Sequence, residues 1–418
     1  MLNIVVYPHD MAMGGSQLNA IELAAAVRDL GHNVTIAGDD GPLVQMVTDL
    51  GMRHVSIPSH RRRPSTVVAR QLRRMIRTEK IDIVHGYEWP PGLEAAAAVY
   101  PLGASAAVCT VMSMAIAPFL PRDLPLVVGT EALRETTAAG RRGPVYLIEP
   151  PVDVTANAPA HPVGDFRASF DLTDTSYVDI VVICRLVPEL KLEGVLTAID
   201  VVGDLARSLP LRLTVVGDGT ARDAVAERAA KANARAGRRA VVLTGQLIDP
   251  RPAYAAADIM LGMGGSALRA LAFAKPLVVQ GEQGFWELLT PSSVDLFLRQ
   301  GWYGVGSASG AGAARLASIL QALVADPARR AELGAYGRKL AVERFSLERA
   351  AVMQEQIYQD ALSAARRSLL SQTGDGVRSA VGVGTHKVRQ RYRSFRGTRK
   401  TDDFNAVTLA STVLSKPS

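Results

Sequence analysis

The stretch NIVVYPHDMAMGGSQLNAIELAAAVRDLG, residues 3–31, decides the fold class. Asn3 to Tyr7 is a short apolar strand. Gly14-Gly15 is a turn, and a helix follows to about Leu30, with Leu18, Ile21, Leu23, Val27 and Leu30 at helical spacing. Gly31 stops it, as glycine does just past a helix end. The alternation continues. Asn33 to Ala37, Val55 to Ile57, Asp82 to His85, Ala106 to Val111, Leu126 to Val128 and Val145 to Ile148 read as strands, and Ser65 to Arg77 as a helix. Strands separated by helices predict a parallel sheet with right-handed crossovers.

The proline-rich segment EPPVDVTANAPAHP, Glu149 to Pro162, lacks periodicity and reads as a linker. A second alternating block follows. Tyr177 to Cys184 is a strand. Leu192 to Leu209 is a helix with Val195, Ile199, Val202 and Leu209 on one face. Leu211 to Val216 is a strand ending in Gly217-Asp218-Gly219, and Val241 to Thr244, Ile259 to Leu261 and Pro276 to Val279 are further strands. The chain thus reads as two doubly wound, Rossmann-like α/β domains in series, whose ligands bind at the carboxyl ends of the strands. The boundaries are 1–160 and 161–345, then a long helix over 346–366 and a basic tail over 367–418, poor in periodicity and expected to be mobile.

Composition agrees. Of 418 residues, 48% are hydrophobic and only 5% aromatic, so Ala, Val, Leu and Ile build the core, as in parallel sheets covered by helices. The two cysteines, Cys109 and Cys184, lie in apolar runs with no disulfide framework or metal-ligand spacing. A reducing, cytoplasmic compartment and no metal are the expectations. The N-terminus reads as a first strand rather than a signal peptide. Ala95 to Pro121 is uncharged and long enough to span a bilayer. It is rich in Ala and Ser and contains Pro101 and Gly103, so it reads as buried strand and helix. A net charge of +7 and a pI near 9.5 suggest an anionic partner.

Two clusters carry chemistry. Gly14-Gly15-Ser16 places backbone amides at a helix N-terminus, where the dipole favours anions. The alternative is a tight strand–helix turn. His9 and Asp10 precede it, as proton-transfer or hydroxyl-binding groups or as plain loop hydrogen-bonders. The second cluster is VVICRLVPELKLEG, residues 181–194. A buried strand delivers Arg185 at its end, and Lys191 follows just before a helix. Two cations at the carboxyl edge of a sheet suit a diphosphate leaving group, whose charge grows as the sugar–phosphate bond breaks.

From these residues the chain resembles the retaining GT-B glycosyltransferases, the group 1 and family 4-like transferases. Their landmarks recur in order. GGSQ comes first (from Gly14), then DIVH (Asp82 to His85) and Pro151-Val152-Asp153, followed by R-L-x-P-E…K (Arg185 to Lys191) and VVGDG (Val215 to Gly219). TGQ (Thr244 to Gln246), Tyr254 to Asp258, Leu268 to Val279 and FSLERA (from Phe345) complete the series. The resemblance covers about residues 1–365. It implies two domains facing a cleft, with the first on the acceptor side and the second binding a nucleotide-sugar. Arg185 and Lys191 would grip the donor diphosphate, Gly15 would approach it from the first domain, and the final helix would cross back to the first domain.

The departures matter equally. The family's E-x7-E pair is missing. Arg269 stands where its second, ribose-binding glutamate is expected, and the first has no counterpart. GMGGSAL, residues 262–268, is instead a glycine-rich turn into a helix, so Gly264, Gly265 and Ser266 join Gly14, Gly15 and Gly217 as donor-binding candidates. Arginine only donates hydrogen bonds, so Arg269 cannot accept from a ribose diol and becomes a diphosphate candidate. VMSM, residues 111–114, stands where the family often has a cleft histidine. In GEQGFWELL, residues 281–289, Glu282 is the candidate carboxylate near the sugar, Gly284 lies in the same loop, and Glu287 reads as the start of a helix. In HGYEWPPG, His85, Tyr87, Glu88 and Trp89 read as a strand-end loop stiffened by Pro90 and Pro91; His85, Tyr87 and Glu88 are acceptor-side candidates.

Basic residues gather twice. Arg61, Arg62, Arg63, Arg70, Arg73, Arg74, Arg77 and Lys80 face a single acid, Glu79, on a helix whose other side is apolar. That pattern suits anionic lipid headgroups, as in family members that glycosylate lipid acceptors; an ordinary solvated helix face reads equally well. Lys387, Arg389, Arg391, Arg393, Arg396, Arg399 and Lys400 repeat the theme with Tyr392 and Phe395 interleaved, without a nucleic-acid-binding motif. The expected function is glycosyl transfer from a nucleotide-sugar to a polysaccharide or lipid-linked acceptor at the cytoplasmic membrane face. The alternative is a catalytically silent GT-B protein that binds a sugar phosphate or anionic lipid and supports a partner enzyme.

Overall fold

The computed structural model describes residues 1–58, 63–100, 105–307, 309–365 and 372–395. Arg61, Arg62, Arg396, Arg399, Lys400, Pro101 and Gly103 lie outside the described residues. The chain divides into two compact units, Met1–Pro151 with Leu347–Ser418, and Val152–Ser346.

The first unit contains β1 (Asn3–Tyr7), α1 (Gly15–Asp29), β2 (Asn33–Gly38), α2 (Leu43–Asp49), β3 (Arg53–Ser56) and α3 (Thr66–Glu79). It continues through β4 (Ile83–Tyr87), α4 (Trp89–Val99), β5 (Ala106–Val111), β6 (Leu126–Val128), α5 (Glu131–Ala138) and β7 (Val145–Leu147). The second unit contains α6 (Phe166–Ser169), β8 (Val178–Ile183), α7 (Leu192–Leu205), β9 (Leu211–Val216), α8 (Arg222–Ala236), β10 (Val241–Gly245) and α9 (Arg251–Ala256). It ends with β11 (Ile259–Gly262), α10 (Gly265–Ala272), β12 (Leu277–Gln280), β13 (Trp286–Leu288), α11 (Val294–Gln300), α12 (Ser309–Ala325) and α13 (Pro327–Arg344). The chain then returns to the first unit as α14 (Leu347–Ala365) and α15 (Gln372–Phe395).

The first sheet has seven strands in the order β3-β2-β1-β4-β5-β6-β7, paired parallel throughout. Its strands are buried on both faces, which is why they read as unbroken apolar runs. Residues of α1, α2 and α14 cover one face. Residues of α3, α4, the segment 117–124 and Val383 of α15 cover the other. The second sheet has six strands in the order β10-β9-β8-β11-β12-β13, with β13 antiparallel to β12. In both, the chain winds outward through three strands and then restarts on the other side of the first strand. The switch points lie between β1 and β4 and between β8 and β11.

Three readings need correction. Glu287 lies in β13, not at a helix start, because WEL pairs with β12 through Val279 opposite Glu287. HGYEWPPG is not a stiffened loop. His85 and Tyr87 belong to β4, and Pro90 and Pro91 sit at the start of α4, where a missing N–H costs nothing. The tail holds α15 over Gln372–Phe395, anchored where Arg378 donates to the carbonyls of Pro118 (3.0 Å) and Leu120 (2.7 Å). The second unit begins at Val152, whose N–H donates to the Phe345 carbonyl at 2.8 Å.

Candidate functional site

Each switch point carries a polar cluster. In the first unit, the loop after β1 carries His9 and Asp10, and Gly14 caps α1 with its backbone extended. No side chain caps this helix and its first turn holds no acid, so its leading amides remain available to an anion. The position a Cβ would take on Gly15 meets nothing within 4 Å, whereas on Gly14 it would lie 2.3 Å from the Gln17 Oε1. Gly15 therefore offers the open approach, whereas Gly14 faces the end of the Gln17 side chain.

Asp10 accepts from Gln17 Nε2 at 2.7 Å and from the Ala12 N–H at 2.9 Å, and its other oxygen lies 2.9 Å from His9 Nε2. Burial disfavours the Asp10 carboxylate, but these hydrogen bonds and the nearby His9 charge outweigh it and hold its pKa well below the usual range. Gln17 Nε2 lies 3.1 Å from the same His9 Nε2, and His9 Nδ1 is buried with no hydrogen-bond partner among the described residues.

The neighbouring strand contributes Glu88. It caps α4 at φ 69°, a left-handed backbone uncommon for a side chain of this size. Its carboxylate accepts from the Ser113 hydroxyl (2.8 Å), the Met112 N–H (3.0 Å) and the Ser16 hydroxyl (3.2 Å). Burial nonetheless raises its pKa. VMSM thus supplies the donors that hold Glu88, a role its lack of histidine concealed.

His85 and Tyr87 are not presented to a ligand. Both are about 1% exposed, and alternation along β4 turns them to the α14 side. His85 Nδ1 lies 2.8 Å from the Tyr358 hydroxyl of α14, and Nε2 lies 2.7 Å from Thr110 Oγ1. Burial drops the His85 pKa to about 3 and pushes the Tyr87 phenol up. They pin α14 to the sheet. Trp89 likewise faces Phe119 edge-on at 5.1 Å rather than an open surface.

In the second unit, Arg185 follows β8 and is exposed, while Lys191 caps α7 and is half-buried. Burial lowers the Lys191 pKa, and Arg185 adds to the effect against Cys184. Among the described residues, neither cation makes an ion pair. Their loop is built on glycine. Gly217 (φ 140°) and Gly219 (φ 155°) press backbone to backbone, so that a Cβ would stand 1.9 Å from the Cys184 oxygen and 2.3 Å from that of Leu186. Gly217 therefore shapes the Arg185 loop, and its Cβ side is filled by protein rather than open to a ligand.

At the end of β11, Gly264 caps α10 at φ 55° without a side-chain cap, and a Cβ on Gly264 or Gly265 would meet nothing within 4 Å. The Ser266 hydroxyl is used inside the turn, donating to the Met263 carbonyl at 2.9 Å. Arg269 lies in the last turn of α10, within electrostatic reach of Tyr254. Glu282 accepts from the Tyr303 hydroxyl, and its N–H donates to the Gly304 carbonyl at 3.0 Å. A residue not singled out by motif is Glu193. It accepts from the N–H groups of Gln283 (3.0 Å) and Gly284 (2.7 Å) and ties the first turn of α7 to the Glu282 loop. An acid in a first helical turn was its only signal. Among the described residues, no group of three or more His, Cys, Asp or Glu side chains is arranged to hold a metal.

Two doubly wound units with a polar cluster at each switch point define a GT-B protein. Residues 14–146 match the glycosyl transferase 4-like domain and residues 178–317 the glycosyl transferases group 1 domain. The chain belongs to the GT-B glycosyltransferases, and glycosyl transfer is its general activity class. A comparison with curated proteins found no match. Among solved structures, a glycosyltransferase from Rickettsia africae superposes with TM-score 0.69 at 15% identity, over 86% of this chain and 99% of that one. Anabaena HepE in complex with UDP-glucose gives 0.61 at 15%, over 86% and 99%. WaaG, a glycosyltransferase involved in lipopolysaccharide biosynthesis, gives 0.56 at 15%, over 84% and 99%.

Proposed function

We propose that this protein transfers a hexose from a nucleotide-sugar to a polysaccharide or lipid-linked acceptor at the cytoplasmic face of a membrane, in cell-envelope or polysaccharide synthesis. The observation that carries the reading is the pair Arg185 and Lys191, two neighbouring cations at the switch point of the second unit that make no ion pair among the described residues. A like-charge pair left unpaired at a strand end is an anion site awaiting its charge. It would hold the donor diphosphate and neutralise the leaving group. The open amides at Gly264 and Gly265 would add donors, with Arg269 beside them and Glu282 toward the sugar. No resident cofactor or metal is invoked. On the first unit, His9 Nδ1 and Glu88 would receive the acceptor hydroxyl. The exposed arginines of α3 suit an acceptor on an anionic membrane.

The UDP-glucose complex of HepE makes UDP-glucose the first donor to try. Calorimetry with UDP, ADP, GDP and their glucose or mannose esters tests the reading. Arg185→Ala and Lys191→Ala should each abolish turnover with the fold intact. Normal turnover in both would sink the diphosphate assignment. Arg269 in place of a ribose-binding glutamate favours a second reading, a catalytically silent protein that supports a partner enzyme. Absence of any nucleotide binding would select it.

A further inference from the structure

Glu193 turns its carboxylate away from its own helix. It is the second residue of α7, where an acid ordinarily faces the leading amides of the same helix. Here both oxygens reach the loop after β12 instead. Oε2 accepts from the Gln283 N–H at 3.0 Å and Oε1 from the Gly284 N–H at 2.7 Å. These two residues have left-handed backbones, φ 54° and 75°. Gln283 is not a glycine, and such a conformation persists only where the surroundings fix it. The helix can come this close because Gly194 has no side chain; a Cβ there would lie 3.0 Å from the Gln280 Oε1. The Gln280 amide, buried at the end of β12, makes no hydrogen bond among the described residues, so the tie between α7 and the loop falls to Glu193. Lys191 lies two residues before this clamp and is fixed to the same turn, with the Val195 N–H donating to its carbonyl at 3.1 Å.

The carboxylate on that loop is aimed from the other side. The Glu282 N–H donates to the Gly304 carbonyl at 3.0 Å, and the Glu282 carbonyl accepts from the Gly306 N–H at 2.9 Å. A Cβ on Gly281 would stand 1.9 Å from the Gly304 oxygen, so the two loops meet backbone to backbone. Tyr303, buried in the second loop, donates its hydroxyl to Glu282 Oε2. Burial, reinforced by the bond to Glu282 and by the Glu193 charge, holds the phenol protonated well above its ordinary 10, so it stays a donor. The other Glu282 oxygen makes no hydrogen bond among the described residues and is left to accept from a hydroxyl. Helix stability alone would need the Glu193 carboxylate at its own amides, and packing alone would need no phenol on Glu282.

We infer that Glu193 and Tyr303 are positioning residues that hold Glu282 at a fixed separation from Lys191, so that the second unit is preformed for the donor's sugar as well as its diphosphate. This rests on the proposed reading of Lys191 as the phosphate end of the site and Glu282 as the sugar end. The readout is the ratio of nucleotide-sugar to nucleoside diphosphate affinity. It is measured by calorimetry on the full chain, with the best-binding pair among UDP, ADP, GDP and their glucose or mannose esters. Glu193→Gln keeps one acceptor oxygen and sets a donor against the second N–H, and Tyr303→Phe removes only the hydroxyl. Each should leave nucleoside diphosphate affinity within about twofold and lower both nucleotide-sugar affinity and kcat/KM about tenfold. Hydrogen exchange of the ligand-free chain should quicken at Gln283 and Gly284 in Glu193→Gln and stay as in the wild type along β8 and the interior of α7. An unchanged affinity ratio in either variant overturns the inference, however exchange behaves. So does an equal fall in both affinities, which would make these residues supports of the fold or of Lys191 alone. A wild type that binds no nucleotide fails the donor reading before any variant is made, and removes the inference with it.

Discussion

A Cβ placed on Gly217 would lie 1.9 Å from the carbonyl oxygen of Cys184, the residue before Arg185. The turn after β9 is thus a mould for the cationic loop after β8, and only glycine fits at φ 140° with that oxygen in place. Gly217→Ala should lose about 1–3 kcal/mol of stability through backbone strain. It should also weaken nucleotide binding, although Gly217 itself is walled off by backbone. Gly237→Ala is the control, also at positive φ (66°) but with open space around it. Chemical denaturation and calorimetry of both variants decide. Equal losses in the two would remove the mould from the account.

Lys191 sets a pH dependence. Burial holds its pKa below the ordinary 10.5, and a bound diphosphate favours the ammonium form. Above the phosphate's own titration at about 6, nucleotide affinity should therefore fall as pH rises through that lowered value. Binding should take up protons in this range. Lys191→Arg should bind with a flat profile, because guanidinium stays charged. Calorimetry in buffers of differing ionisation enthalpy reads both effects.

His85 sets an acid limit for the first unit. Its folded pKa, about 3, lies below its ordinary 6.5, so the unfolded chain takes up the proton first. Its contribution to stability is fully present above 6.5 and is lost as pH falls toward 3, at about 1.4 kcal/mol per unit. Urea unfolding followed through Trp89, with Trp286 and Trp302 replaced by Phe, should show this slope. His85→Gln should flatten it. An unchanged slope would contradict the buried, neutral imidazole.

Glu88 separates acceptor chemistry from donor binding. Glu88→Gln keeps the shape but lacks the charge and changes one acceptor oxygen for a donor facing Ser113. Nucleotide affinity should stay as in the wild type, and transfer should fall about a hundredfold. A loss of nucleotide affinity with transfer intact would reverse the assignment.

Much of this was legible in the chain. Unbroken apolar runs marked the buried parallel strands, and the glycines at 14–15, 217–219 and 262–265 marked their carboxyl ends. Arg185 and Lys191 could be placed at a sheet edge because their strand and helix are contiguous with them. Side-chain direction was harder to read. His85 looked like a loop ligand until strand alternation and Tyr358, far along the chain, put it inside. Glu287 looked helical because three residues are too few to show a strand's period, and only pairing with β12 fixed it.

The sequence by itself determined the two doubly wound units and the loops that carry charge, because periodicity and turn chemistry are local. The tertiary structure alone decided what meets what. The strand order sets β4 beside β1, and so brings Ser16, Glu88 and Ser113 into one cluster. It also decided that α15 would dock through Gly382 and Val383 and leave Val388 exposed. Such contacts close long loops, and their partners are chosen by packing across the whole unit rather than by neighbours in the chain.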